Sequence, residues 1–210
     1  MMDEPLGALD AEFREHMSLE LRALHDRMRA TTVYVTHDQL EAMQMGDKIV
    51  VMNHGVIEQF GTPQQIYDHP ATQFVAEFIG SPCMNFLGFK APQNAGDRQI
   101  MLGKHPVPVP ELQETLQDRE AFLGVRPEDV ILSDAAPYRG RVEAVEYLGT
   151  TQILTINVAH GDLKARIGSD RRASVGDLVG VDFNPQRLCV FDAGTGRALR
   201  TAANLGVHHG

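Results

Sequence analysis

The 210 residues suit one large domain or two small ones, and 43% hydrophobic against 22% charged is the ordinary balance of a chain that buries a core. The net charge of −9 lies almost wholly in residues 1–85, which hold five Lys/Arg against thirteen Asp/Glu; residues 86–210 hold fourteen against fifteen. Neither part has the basic excess of a phosphate-backbone binder, so nucleic acid is excluded as an expected partner.

No apolar run of about eighteen residues exists and no basic-then-apolar leader opens the chain, so no direct membrane insertion is expected. Cys83 and Cys189 alone make no disulfide framework and read as two buried free thiols in a reducing cytosol. In chain order, Met1-Met2 reads as a strand end, followed by Asp3, Glu4 and Pro-Leu-Gly-Ala-Leu-Asp. AEFREHMSLELRALHDRMRA (11–30) predicts an amphipathic helix, with Phe13, Met17, Leu21, Leu24 and Met28 at helical spacing and Asp10 as its N-cap. TTVYVT (31–36) is β-branched and aromatic and predicts a buried strand running into His37. DQLEAMQMG predicts a short helix closed by Gly46, and two apolar runs around Asn53-His54-Gly55 predict a hairpin. TPQQIYDHP and ATQFVAEFIG predict two brief helices separated by Pro70. Met17, Met28, Met43, Met45 and Met52 are expected in helix and strand core, and Phe74, Phe78 and Ile79 between two domains.

Gly80-Ser81-Pro82 marks the expected boundary, giving domains 1–80 and 81–210. Beyond it the pattern changes to short strands between turns: RQIML, FLGVRP, DVILS, RGRVEAVEYLG, TQILTINVA, DLKARIG, LVGVDF and RLCVFD. Only the neighbourhood of PELQETLQD looks helical. Many evenly spaced short strands predict a small barrel or sandwich. The tail AANLGVHHG is expected to fray, with His208 and His209 solvated rather than holding a metal.

Acids after one apolar strand end and a histidine after the next strand carry chemical meaning. In open parallel α/β sheets, functional groups gather outside the carboxyl ends of the strands. If Met1-Met2 and TTVYVT are neighbours, Asp3, Glu4 and His37 converge. One carboxylate there can hold magnesium through water, a second can orient or deprotonate an attacking water, and a histidine can hydrogen-bond a phosphoryl group.

DEPLGALDA, then YVTHDQLEAM, then DKIVVMNHGVIEQFGTPQQIYDHPATQFVAEFIGSPCMNFL closely resembles the ATPase subunits of ATP-binding-cassette importers, of the carbohydrate-uptake (maltose and glycerol-3-phosphate) type. Looser marks are GVRPEDV (124–130), EYLGTTQ (146–152) and LCVFDAGTG (188–196), similar to the family's C-terminal regulatory region. The resemblance implies an α/β followed by all-β chain: a truncated P-loop NTPase-type α/β portion, then an OB-fold-like β-barrel regulatory domain. Asp3 is similar to the aspartate that assists magnesium binding, and Glu4 to the general base. His37 resembles the switch histidine at the terminal phosphate. Ala8, Leu9 and Asp10 fall in the loop that, in the family, reaches toward the opposite nucleotide site of a dimer. Gly7 stands where a serine is common.

The implied cofactors of a full-length parent are ATP and Mg; the implied partners are membrane permease subunits and a second ATPase subunit, with homodimerisation. The implied location is cytoplasmic, peripheral on the inner face of a bacterial membrane. The sequence contains no G-x-x-x-x-G-K-S/T, no glutamine-bearing lid strand and no Leu-Ser-Gly-Gly-Gln. A glycine-rich loop is what cradles phosphates. The expectation is a C-terminal portion cut at the acid-bearing strand, inactive and without cofactor when alone. The other reading is a free-standing regulatory or ligand-sensing OB-fold module.

Overall fold

The structure, a computed structural model, describes residues 1–90, 92–116 and 120–204. His208, His209 and the last two residues of PELQETLQD lie outside the described residues.

The chain begins with β1 (Met2–Asp3), α1 (Ala11–Met28) and β2 (Tyr34–Val35). β1 and β2 pair in parallel, Met2 opposite Tyr34 and Asp3 opposite Val35. TTVYVT is therefore strand only where β1 offers a ladder partner. Asp10 caps α1 by accepting the Phe13 N–H at 2.9 Å, and the helix stops at Arg29, left-handed at φ 49°. The apolar stripe of α1 is not buried: Phe13 is 59% and Met28 64% exposed, and Leu24 is also open to solvent. Met17 and Leu21 are half-buried and α1 touches α2, so the stripe is covered only in part, and propensity and the cap carry much of the helix.

α2 (Gln39–Met45) starts at Asp38, whose Oδ1 accepts the N–H groups of Leu40 and Glu41. β3 (Ile49–Asn53) and β4 (Val56–Gly61) form the expected hairpin. His54 at φ 46° and Gly55 at φ 82° are both left-handed, as a tight two-residue turn requires. Ile49 and Val51 on its inner face pack against Ile66 of α3 (Pro63–Asp68) and Val75 of α4 (Gln73–Phe78). The outer face carries Val50, Ile57, Phe60 and Met52, the last 58% exposed, so Met52 joins Met28 outside the core. The reason is the two-residue period of a strand: Met52 falls on the face opposite Val51. Thr62 and Gln65 form a capping box for α3, and Thr72 caps α4.

The rest is mostly β: β5 (Asn85–Lys90), β6 (Gln99–Leu102), β7 (His105–Pro108), β8 (Glu120–Val125), β9 (Val130–Leu132), β10 (Tyr138–Tyr147), β11 (Thr151–Val158), β12 (Gly161–Gly168), β13 (Leu178–Phe183) and β14 (Cys189–Asp192). One sheet runs β12-β11-β10-β13-β9, another β14-β8-β5, and β6 pairs with β7. Leu87, Ile100, Leu123, Leu154, Ile156, Leu163 and Val190 share a single core between them. Asn85 stitches the two larger sheets: its Nδ2 donates to the carbonyls of Val125 and Lys164, and its Oδ1 accepts the Lys164 N–H.

Two sequence expectations are corrected here. Residues 110–116 are not helical; Leu112 bridges Thr201 and Leu116 bridges Gln93, so burial of the two leucines overrides the helix propensity of Glu and Gln. Cys189 is buried, with its thiol pushed up to about 12 by burial, but Cys83 is exposed in the turn before β5.

Across Gly80–Ser81 the packing is continuous. Arg126, 2% exposed, follows β8 and donates to the carbonyls of Ala76, Ile79 and Tyr67, while its guanidinium lies 4.2 Å from the Tyr67 ring. It thus satisfies the open C-terminal carbonyls of both α3 and α4. A Cβ at Gly80 would stand 2.8 Å from this guanidinium, so a glycine permits the approach. Arg187 joins Asp68 at 2.8 Å, and the Ala198 N–H reaches the Ala71 carbonyl. Ile79 is buried with the hairpin side chains, Phe74 is half-buried beside it, and Phe78 stacks on Phe74 with its outer face exposed.

Candidate functional site

Parallel pairing of β1 with β2 brings their carboxyl ends to the same level. The Glu4 N–H donates to the Val35 carbonyl at 2.8 Å, continuing the ladder one residue past the strand. Glu4 then turns away at φ 43°, a left-handed conformation that costs a non-glycine residue and persists only when neighbours impose it. The Gly7 N–H returns to the Glu4 carbonyl, the Leu9 N–H to that of Leu6, and Leu6 is buried beneath. The turn points the Glu4 side chain across to the next strand.

There Glu4 Oε1 meets His37 Nδ1 at 2.9 Å, with His37 74% and Glu4 52% exposed. Residues 33 positions apart are thus joined at the carboxyl ends of two parallel strands, as the sequence pattern predicted. The hydrogen bond to Glu4, and then its charge, hold the His37 imidazolium above the ordinary histidine range. The chemical capacity of such a pair is proton exchange at a solvent-accessible surface.

Asp3 is exposed next to Glu4. Ala8 is exposed, Leu9 half-buried, and Asp10 is engaged as the cap of α1. A Cβ at Gly7 would meet only ordinary contacts with Glu4, the nearest at 3.5 Å, so the turn does not depend on glycine there. Two charged residues not singled out from the sequence, Arg14 and Glu41, stand directly behind the pair. No sequence signal separates them from the other charges of two amphipathic helices; only the tertiary contacts do.

Among the described residues no group of three or more His, Cys, Asp or Glu converges to hold a metal. Asp3 supplies one carboxylate, which fits magnesium only when phosphate oxygens and water complete an octahedron. Asp3, Glu4 and His37 offer two carboxylates and one imidazole, groups able to hold water around a metal-bound phosphate and to hydrogen-bond its oxygens.

Residues 123–191, in the mostly β part of the chain, match the TOBE domain family. Over nearly its whole length the chain is similar to import ATP-binding proteins. The sn-glycerol-3-phosphate import ATP-binding protein UgpC 2 of Agrobacterium fabrum is 40% identical over 203 residues, covering 96% of this chain and 54% of that protein. UgpC of Psychromonas ingrahamii is 39% identical over 208 residues, covering 95% and 54%. The trehalose/maltose import ATP-binding protein MalK of Thermococcus litoralis is 39% identical over 216 residues, covering 95% and 56%. These relatives are importer ATP-binding subunits, and the chain matches their C-terminal half. It spans about half the length of the curated relatives it matches.

Proposed function

We propose that the chain carries the hydrolytic residues and the regulatory domain of an ATP-binding-cassette importer ATPase, which couples ATP hydrolysis to uptake of sugars or glycerol phosphates. The observation that carries this reading is the 2.9 Å contact between Glu4 and His37 at the ends of two parallel strands. Glu4 orients and deprotonates the attacking water, a contribution of roughly 10²- to 10⁴-fold. His37 donates a hydrogen bond to the phosphoryl oxygen, and Asp3 holds a water of the magnesium shell. Bound Mg-ATP supplies the phosphoanhydride that is cleaved and the charge that the metal neutralises.

In this reading the α/β segment is the end of a P-loop NTPase-type domain, and residues 81–210 form an OB-fold-like regulatory barrel. The exposed loop through Ala8, Leu9 and Asp10 faces a second ATPase subunit in a homodimer. Permease subunits bind on the inner face of the membrane, where the protein is peripheral; no helix among the described residues is long and apolar enough to cross it. The chain alone binds no ATP.

A chimera tests this. The part of the Agrobacterium fabrum relative that this chain does not cover is fused ahead of Met1, and Mg-ATP turnover and nucleotide affinity are measured. Turnover is expected, with Glu4→Gln abolishing it at unchanged affinity. Full turnover in Glu4→Gln would remove Glu4 from its role.

A further inference from the structure

The residues flanking His37 are tied into one polar frame. Thr36 Oγ1 donates to Glu41 Oε2 at 2.8 Å and accepts the Asp38 N–H at 3.0 Å. Tyr34 OH reaches the same Glu41 oxygen at 3.0 Å, and burial followed by that bond raises the phenol well above its usual range. Asp38 caps α2 with Oδ1, which leaves Oδ2 to accept from Arg14. Glu41, with a side chain 5% exposed, is the anchor of this frame.

Arg14 joins that frame to the loop bearing Glu4. Its Nη2 donates to the Leu9 carbonyl at 2.9 Å, its Nη1 to Asp38 Oδ2 at 3.3 Å, and its Nε lies 3.8 Å from Glu41 Oε1. One guanidinium therefore donates to two acceptors, on the loop after Glu4 and on the residue after His37, and lies in ion-pair range of Glu41 on α2. Glu4 is held on one side by its N–H bond to Val35 and on the other by the Leu6–Leu9 turn. Arg14 is what fastens the far end of that turn. Its strained φ of 43° requires such bracing from both sides.

We propose that Arg14 is a positioning residue that sets the distance between Glu4 and His37 by locking the Leu6–Asp10 loop onto the Glu41 frame. Arg14 touches no reacting atom. The planar fork is essential, because a lysine ammonium is a single point on a flexible stem and cannot hold the Leu9 carbonyl and Asp38 Oδ2 in two fixed directions beside Glu41. The same tie makes the loop that carries Ala8 and Leu9 report mechanically on the Glu4–His37 pair, so a displacement of the loop is a displacement of the base. The inference rests on the reading of Glu4 and His37 given above, but its test needs no turnover and so fails independently of that reading.

The test is NMR on the intact chain. The ring signals of His37 report whether Nδ1 is paired with Glu4, and Glu4→Gln supplies the unpaired reference. Arg14→Gln is expected to move the His37 ring signals most of the way to that reference. It should also speed amide exchange at Gly7 and Leu9 about tenfold or more, since charge-assisted hydrogen bonds are lost. The signals of Leu123 and Leu154 in the TOBE core stay in place. Arg14→Lys is expected to behave like Arg14→Gln, because charge alone does not restore the bridge. Glu41→Gln, which keeps an acceptor for Tyr34 and Thr36, should shift the same signals less far and serves if Arg14→Gln does not fold. Unchanged His37 ring signals in Arg14→Gln, or full restoration by Arg14→Lys, would overturn the proposal.

Discussion

Residues 1–45 and residues 49–204 are built on opposite principles. In the first region two strands of two residues each pair with one another, and Phe13, Leu19, Leu24 and Met28 of α1 face solvent. Its order comes from caps and polar ties: Asp10 on Phe13, Asp38 on Leu40, Arg22 on the Met45 carbonyl at 2.8 Å, Arg14 on the Leu9 carbonyl and Asp38. In the second region two sheets share a core in which Leu87, Leu123, Leu154 and Leu163 are wholly buried, and the hairpin and short helices of residues 49–79 are sewn onto it through Arg126. The lesson is where each feature is paid for. The proposed chemistry stands on the region with little apolar burial of its own, and the region that buries most carries none of the predicted site residues.

The largest effect is expected at the seam. Arg126→Met takes the guanidinium donor from two buried carbonyls, Ala76 and Ile79, and from the part-buried Tyr67 carbonyl, and each buried group left unsatisfied costs about 1–3 kcal/mol. The urea midpoint of the intact chain should fall by the equivalent of roughly 3 kcal/mol or more. An unchanged midpoint would mean that residues 49–79 and the TOBE region are held together by something else. Burial lowers the Arg126 pKa from the ordinary arginine range, so the loss is one of hydrogen bonds in a dry setting rather than of an exposed surface charge.

Next come paired truncations that weigh the two regions directly. Leu154→Ala removes a wholly buried side chain and is expected to cost about 2–5 kcal/mol, whereas Phe13→Ala on the open face of α1 should stay within about 0.5 kcal/mol. Equal costs would show that the α1 face is covered in solution, for example by a second copy of the chain.

The smallest effects are two histidine titrations of opposite sign. His37 is raised by its bond to Glu4, so the pair's contribution is complete below about 6.5 and is lost as pH rises through the raised value. His69 is lowered by burial, so its contribution is present above about 6.5 and is lost as pH falls through the lowered value. NMR titration should place the two midpoints on either side of the ordinary one, and Glu4→Gln should return His37 alone toward it. A His37 midpoint indifferent to Glu4→Gln would separate the two residues in solution.

Much of the fold was legible because its elements follow simple periods. β10, β11 and β12 alternate and end at turns, and Asn53-His54-Gly55 gave the hairpin turn. β5 was missed because Asn85-Phe86-Leu87-Gly88-Phe89 lacks alternation of polarity; Asn85 is buried by its bridge to Lys164, and Gly88 lies beneath the Phe122 ring. β7 was missed because His105-Pro106-Val107-Pro108 contains two prolines, which only a strand with an unpaired side tolerates. The helix expected at residues 110–116 failed for the opposite reason, good propensity overridden by long-range pairing. For the candidate site, the approach of Glu4 to His37 was readable from the strand-end pattern. The frame of Arg14 and Glu41 and the plug of Arg126 were not, because a buried charge is recognisable only from the carbonyls and hydroxyls that fold around it.

Hydrogen exchange read segment by segment by mass spectrometry on the intact chain at neutral pH compares the two regions most directly. Amides of β8, β10, β11 and β14 are expected to exchange slowest and together, those of β3, β4 and α4 close behind them through the Arg126 seam, and those of β1, β2 and α1 faster by at least about a hundredfold, in keeping with local opening. Protection of α1 and β2 equal to that of β11 would contradict the division, and would show that residues 1–45 have an apolar partner in solution.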